Sequence, residues 1–282
     1  MRWLRFLHER HPATHILLVL VFALAQAGVA RHLGGRVDAG DLLRLALSCQ
    51  AFFLLLRLCD EEKDLAEDRL HRPDRPLARG LLSLPELHAG QILSWITFPV
   101  LLLSVHWSSN AWVAVTLVWT FLMRREFFLA TWLRPRLTRY ALSHTLVMVP
   151  FAMSCLTFLG VPSAAALPWA FALWFAFNYF EFSRKTFDRT EELPGVDSYT
   201  SRFGKVGAVG LSLLQILMTA VCLQRADFDL FRSLPVLGGA VAWSLLAGLW
   251  VLKTDWPRAQ LLRSTSGLLL SLFLLTGLLQ GL

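Results

Sequence analysis

Apolar runs of near-membrane length recur along this chain and leave it few architectures besides a helical bundle in a bilayer. They fall at 14–31, 40–58, 85–106, 111–123, 140–160, 164–182, 206–224, 233–252 and 264–281. A helix needs about 20 apolar residues to cross the hydrocarbon, and in lipid every backbone N–H and C=O must be satisfied within the segment. The pattern therefore predicts an all-α, multi-pass integral membrane protein with nine transmembrane helices. The 111–123 run is short, but Ser108, Ser109 and Asn110 before it and Arg124 and Arg125 after it supply its ends. Of 282 residues 55% are hydrophobic and 11 are Trp, with mean hydropathy +0.52, too apolar for an ordinary soluble domain. No loop is long enough to bury a second core, so 1–282 reads as one domain.

Residues 1–13 form an N-terminal arm, in which Trp3, Leu4, Phe6 and Leu7 alternate with Arg2, Arg5 and Arg10. This pattern predicts an interfacial helix rather than a cleavable leader. With that arm in the cytoplasm, 22 of the 27 Lys and Arg residues lie inside; Arg31, Arg36, Arg44, Arg225 and Arg232 lie outside. The positive-inside rule then directs the long loops 59–84, 124–139 and 183–205 to the cytoplasm of a bacterial-type inner membrane. The net charge of +7 becomes one basic face that attracts anionic headgroups and substrates. Nucleic-acid binding is excluded, because no soluble basic domain exists to carry it. Cys49, Cys59, Cys155 and Cys222 lack metal or disulfide spacing and read as packing residues.

The chemistry begins where the second run ends. Asp60, Asp64 and Asp68 repeat at a four-residue pitch, and Arg-Pro-Asp-Arg-Pro-Leu-Ala-Arg-Gly follows at 72–80. Each four-residue step of a helix turns about 400°, so the three carboxylates fan over only ~80° of one face. Such a face repels itself unless a cation sits in it. Oxygen ligands at a membrane surface suit Mg²⁺, which takes one or two carboxylates and fills its shell with water and substrate phosphates. Arg57 lies at similar azimuth two turns before Asp64, and Arg72, Arg75 and Arg79 arrive in a Pro-stiffened turn that suits a basic lid over phosphates.

A second polar stretch follows the sixth run. Relative to Glu181, continued helix would set Lys185, Asp188 and Glu192 at about +40°, −20° and +20°, one mixed-charge stripe ended by Pro194-Gly195. Asp188 with Glu192 suits a second Mg²⁺, and Arg184 with Lys185 suits diphosphate oxygens. The same residues also fit plain i to i+4 pairs on an exposed helix. Arg134, Arg136 and Arg139 before the fifth run read either as further phosphate ligands or as topology signals, and Lys253 with Asp255 is a weaker signal still. Gln26, Gln50, Gln91, Gln215, His106 and His144 lie in or near spans, as pocket groups or as helix–helix hydrogen bonds.

These residues resemble the UbiA-type intramembrane prenyltransferase superfamily. Its first motif, Asn-x-x-x-Asp-x-x-x-Asp with an Arg-Pro turn and a Gly, is matched by Asp60, Asp64 and Asp68 and by Arg75-Pro76-Leu77-Ala78-Arg79-Gly80, with Asp in place of the Asn. The second, Asp-x-x-x-Asp with a downstream Gly and Phe-Gly, is present in outline at Gly195 and Phe203-Gly204. Its acids are either Asp188 with Glu192 or Glu181 with Lys185 replacing the second. We read a composite in which Glu181, Asp188 and Glu192 share the metal and Lys185 meets phosphate. The resemblance spans essentially the whole chain. It implies a nine-helix horseshoe, a cytoplasmic active site, Mg²⁺, and transfer of an isoprenoid group from a polyprenyl diphosphate to an aromatic or lipid acceptor. Phosphoribosyl transfer or terpene cyclisation on the same scaffold is the alternative. A cation transporter ranks below both, since its acids belong at the midplane.

Overall fold

The computed structural model describes residues 2–188, 190–192, 197–252 and 259–282. Pro194, Gly195, Lys253 and Asp255 lie outside the described residues. The described residues are helical without strands. The order is α1 Arg2–Arg10, α2 Ala13–His32, α3 Ala39–His71, α4 Leu84–Leu102, α5 Trp107–Arg124, α6 Ala130–Leu133, α7 Leu137–Thr145, α8 Met148–Phe158, α9 Ser163–Arg184, α10 Tyr199–Arg225, α11 Leu230–Leu252 and α12 Ala259–Gln280, with a 3₁₀ turn at Glu126–Phe128.

The nine apolar runs fall largely in helices, although 85–106 outlasts α4, which ends at Leu102, and 140–160 is divided between α7 and α8. Among the described residues six helices are both long and apolar enough to cross a membrane: Ala13–His32, Ala39–His71, Leu137–Phe158, Tyr199–Arg225, Leu230–Leu252 and Ala259–Gln280. The runs in α4, α5 and α9 are diluted by polar residues the bundle buries, such as Gln91, Thr116, Thr120 and Asn178.

α8 is buried along its whole length, as a helix apolar on all sides must be. It sits between α5 and α9; α9 runs along α10, α3 along α4, and α12 against both α2 and α11. Phe52 and Phe151 stack at 3.8 Å in the core, with Phe22 and Phe98 around them. The α2–α12 crossing depends on glycine. A Cβ on Gly28 would lie 2.6 Å from the Gly277 carbonyl oxygen, and one on Gly281 would lie 2.6 Å from the Gly28 Cα. Small residues let backbones approach this closely where lipid offers no hydrophobic drive to pair helices.

Polar residues in the spans serve mainly as interhelical ties. Gln26 accepts from the Trp169 indole at 3.0 Å, and Gln50 donates to the Ile16 carbonyl at 2.8 Å. At the end opposite the acidic motif, Arg44 donates to the carbonyls of Leu101 and Leu103, and Arg232 to that of Gln280. Two of the five arginines expected outside thus cap helix ends, where unpaired carbonyls and the helix dipole favour a cation. Cys49 and Cys155 are buried in the core.

Candidate functional site

At 1.5 Å per residue the 33-residue α3 is about 50 Å long, against a hydrocarbon core of ~30 Å. Its last turns therefore project from the bundle as regular helix, and the acidic repeat rides on them. Each side of this projection meets a different element. Glu61, buried, pairs with Arg10 of α1. Glu62 binds Arg124 of α5 at 2.9 Å and His88 and Gln91 of α4 at 3.1 and 2.9 Å. Lys63 donates to the Tyr140 hydroxyl of α7 at 2.8 Å and lies 3.4 Å from Asp60. Glu61 and Glu62 are consumed in fastening α3 to its neighbours.

The three aspartates differ from these. Asp60 is exposed, with 54% of its side chain accessible, and meets only Lys63 at the long distance given above. Asp64 is half-buried and has no hydrogen-bond or ion-pair partner among the described residues. Asp68 is buried at the foot of the row and accepts from Arg75 Nη1 at 2.9 Å. Arg75 reaches back because the Arg-Pro turn packs on the helix end, with Leu77 and Leu82 against Leu58, Leu65, Leu87 and Phe6. Arg57 is half-buried and likewise has no side-chain hydrogen bond or ion pair among the described residues. Arg72 is exposed, whereas Arg79 is taken up by Glu9 at 2.6 Å and the Asp74 carbonyl at 2.6 Å. The amphipathic α1 is therefore docked on the turn, with Phe6 fully buried beneath it.

No three Asp, Glu, His or Cys among the described residues gather into a protein-only metal cage. This agrees with the pitch: four residues of helix advance about 6 Å, so one cation meets one or two of these carboxylates. The donor set of hard oxygens, two of them free of strong partners, fits Mg²⁺ completed by phosphate oxygens and water.

The second stretch departs from expectation. α9 ends at Arg184, so the stripe from Glu181 through Glu192 does not form. The Thr186 hydroxyl caps the Phe182 carbonyl at 2.9 Å, and the Lys185 carbonyl takes the Tyr199 amide at 3.1 Å, turning the chain away from the helix axis. Glu181 instead closes on Arg184 and on Lys185 Nζ at 2.8 Å, the local-pair alternative. Asp188 is drawn inward: Lys205 of α10 lies 3.0 Å away, Trp250 Nε1 of α11 donates to both oxygens at 3.1 Å, and the Ala259 amide of α12 donates at 3.4 Å. Glu191 is gripped by both terminal nitrogens of Arg263 at 2.8 and 2.9 Å, and Glu192 accepts from Ser198 at 2.9 Å. Glu181, Asp188 and Glu192 do not assemble as one ligand set; each is satisfied separately, and Asp188 joins α9 to α10, α11 and α12. Burial works to raise the Asp188 carboxyl, but the Lys205, Trp250 and Ala259 hydrogen bonds outweigh it and hold it below the usual range. The Arg263 hydrogen bonds do the same for Glu191.

Gly204, in the Phe203-Gly204 pair, has φ +67 and ψ 175 inside α10, a kink that only glycine adopts without strain. Arg136 and Arg139 stack on Trp132 and, with Thr138, Arg202 and Phe203, line a basic hollow of about 260 Å³. Arg134 lies apart from that hollow, 3.5 Å from Glu126. A separate apolar cavity of about 80 Å³ lies between α9, α10, α11 and α12, lined by Tyr179, Ile216, Leu223, Val236, Leu269 and Phe273 among others.

The sequence reading passed over Lys63, Tyr140, Glu126, Lys205 and Arg263. Lys63 alone carried a local signal, three residues after Asp60; the others meet their partners only through tertiary packing.

No family model and no curated protein sequence matches the chain. A solved structure does: one described as giving structural and mechanistic insights into the biosynthesis of digeranylgeranylglyceryl phosphate synthase in membranes. It superposes with TM-score 0.65 at 14% identity, over 100% of this chain and 99% of that one. From end to end, the chain shares the fold of that membrane protein.

Proposed function

We propose that this protein is an intramembrane prenyltransferase, moving an isoprenoid group from a polyprenyl diphosphate to an aromatic or lipid acceptor with Mg²⁺. The observation that carries this reading is the pair of under-partnered aspartates, Asp60 and Asp64, on the projecting end of α3, in a chain that shares its fold throughout with a synthase of a digeranylgeranyl lipid. On this reading nine helices line a horseshoe open to lipid, and the α3 end faces the cytoplasm, as the distribution of basic residues favours.

Mg²⁺ would be held along the row of Asp60, Asp64 and Asp68, each ion by one or two of these carboxylates. When bound, the ion supplies positive charge against the departing diphosphate. Arg57, free of partners among the described residues, adds a fixed cation on the same side, and Arg75 sets the height of Asp68. The allylic C1–O bond breaks with its electron pair leaving on the diphosphate, and the acceptor attacks C1. The small apolar cavity among α9, α10, α11 and α12 suits part of the isoprenoid tail, and the apolar bundle keeps water from the cation. Arg72, Arg136 and Arg139 are secondary phosphate contacts; Arg79 and Arg184 already have carboxylate partners.

Purified protein in liposomes, given geranylgeranyl diphosphate, tests this directly. Diphosphate release that requires Mg²⁺ and yields a prenylated product is expected. A cyclised hydrocarbon or a phosphoribosylated lipid as the sole product would move the assignment to another diphosphate reaction on this scaffold.

A further inference from the structure

Three consecutive non-glycine residues, Glu126, Phe127 and Phe128, adopt left-handed backbone, with φ of 51, 53 and 57. L-residues are strained in that region, and a run of three persists only where packing over-determines it. Here the turn drives the Glu126 side chain inward until the residue is 5% exposed. Its two oxygens are treated unequally. Tyr140 donates to Oε1 at 3.2 Å, and Arg134 lies 3.5 Å from the same atom. Oε2 is buried without a partner among the described residues.

A second acceptor is left open on another side chain that packs on Tyr140. His144 stacks on the Tyr140 ring at 3.9 Å and meets the Phe127 ring edge-on at 5.6 Å. Its Nδ1 lies 2.8 Å from the Tyr140 carbonyl, which can only accept, so Nδ1 carries the proton and the neutral ring presents a lone pair at Nε2. That Nε2 is also buried and unpartnered among the described residues. The cluster joins the acidic motif through Lys63, which lies 2.8 Å from the Tyr140 hydroxyl and 3.4 Å from Asp60.

Two buried acceptors without donors are costly, and what satisfies them is a group that brings its own hydrogen. We infer that Glu126 and His144 bind a prenyl acceptor that brings two donors: Glu126 Oε2 takes the proton of the attacking hydroxyl, and His144 Nε2 accepts from a second hydroxyl of the same molecule. This rests on the prenyltransferase reading and deepens it. The new bond is acceptor O–C1 of the isoprenoid; the C1–O bond to diphosphate breaks with its electron pair; the hydroxyl proton passes to Glu126. The substrate class is an alcohol alkylated on oxygen, not an arene alkylated on carbon. His144 Nε2, holding the second hydroxyl, orients the first.

The test supplies purified protein in liposomes with labelled geranylgeranyl diphosphate and either a 1-alkylglycerol or 4-hydroxybenzoate, identifies products by mass and fragmentation, and measures donor affinity and thermal unfolding separately. O-alkylated alkylglycerol is expected from the wild type. Glu126→Gln should lower that transfer by about 100-fold or more, the usual range for a lost general base, at unchanged donor affinity and unfolding. Glu126→Asp should recover part of it, and His144→Gln should raise KM for the alcohol more than it lowers kcat. Glu126→Gln with wild-type kcat overturns the proton role. Transfer only to the ring carbon of 4-hydroxybenzoate, or donor turnover with no product on either hydroxyl, overturns the alcohol assignment and leaves the prenyltransferase reading standing. No donor binding and no turnover by the wild type would instead sink that reading itself. Should Glu126→Gln fail to fold, Tyr140→Phe, which withdraws the Oε1 contact together with that to Lys63 and leaves Glu126 in place, must retain measurable O-transfer with a raised KM, and unaltered kinetics would count against the cluster.

Discussion

Asp64 combines half-burial with the lack of any partner among the described residues, a state a carboxylate occupies only at a cost unless a ligand relieves it. We expect Asp64→Ala to abolish prenyl transfer at saturating Mg²⁺ while the protein inserts and unfolds as wild type, since no packing is lost; single-turnover assays on purified protein check this. Asp60→Asn should be the mildest change of the three, because it keeps an oxygen donor in an exposed position. Lys185 carries a different expectation. Its ammonium is paired with Glu181 at 2.8 Å on a partly exposed helix end, so Lys185→Met should shift stability by no more than about 1 kcal/mol and leave donor affinity near wild type. A large loss of donor affinity at unchanged folding would restore its phosphate role. The first motif was legible in sequence because its three acids share one helix, and a four-residue pitch fixes a face without help from elsewhere. The second was not. What Asp188, Glu191 and Glu192 do depends on Lys205, Trp250, Arg263 and Ser198, which are contributed by or precede α10, α11 and α12.

The helices themselves were well marked by the apolar runs, and their ends less so. α3 outruns its apolar stretch and carries the motif as continuous helix, while α9 stops before the polar residues that its period would have extended over. In both cases tertiary ties decide: α3 is clasped by α1, α4, α5 and α7, whereas the chain after α9 turns toward Asp188's partners. That turn gives a pH prediction. In the folded chain the carboxyls of Asp188 and Glu191 titrate below their ordinary 3.8 and 4.5, so the stabilisation is present above those values and is lost as pH falls through the lower folded ones. Thermal unfolding measured from pH 6 downward should steepen below about pH 4, and Asp188→Asn with Glu191→Gln should flatten that limb. An unchanged acid limb in the double variant would remove these two groups from its cause. The α2–α12 crossing makes a separate claim: Gly28→Leu should force the helices apart and sharply lower the unfolding temperature, where Gly238→Leu, with nothing within 4 Å of its Cβ position, should not.

At the scale of the whole molecule, the chain arranges its chemistry at one end of an apolar bundle. The acidic end of α3, the basic turn, the Glu126 turn and the Asp188 network all derive from the stretches expected on the basic face. Arg44 and Arg232 close helix ends at the other. Cysteine labelling from outside sealed cells should therefore reach a probe near Asp227 and miss one near Asp74; the reverse pattern would turn the site away from the cytoplasm. The most direct test of the central claim follows the isoprenoid itself. Liposomes containing the protein are given radiolabelled geranylgeranyl diphosphate, Mg²⁺ and an acceptor mixture, and label in prenylated product is compared with diphosphate released. The account predicts equimolar product and diphosphate from the wild type, and neither from Asp64→Ala or after the metal is chelated. Equal product from wild type and Asp64→Ala, or no label transferred by a wild type that binds the donor, would contradict it.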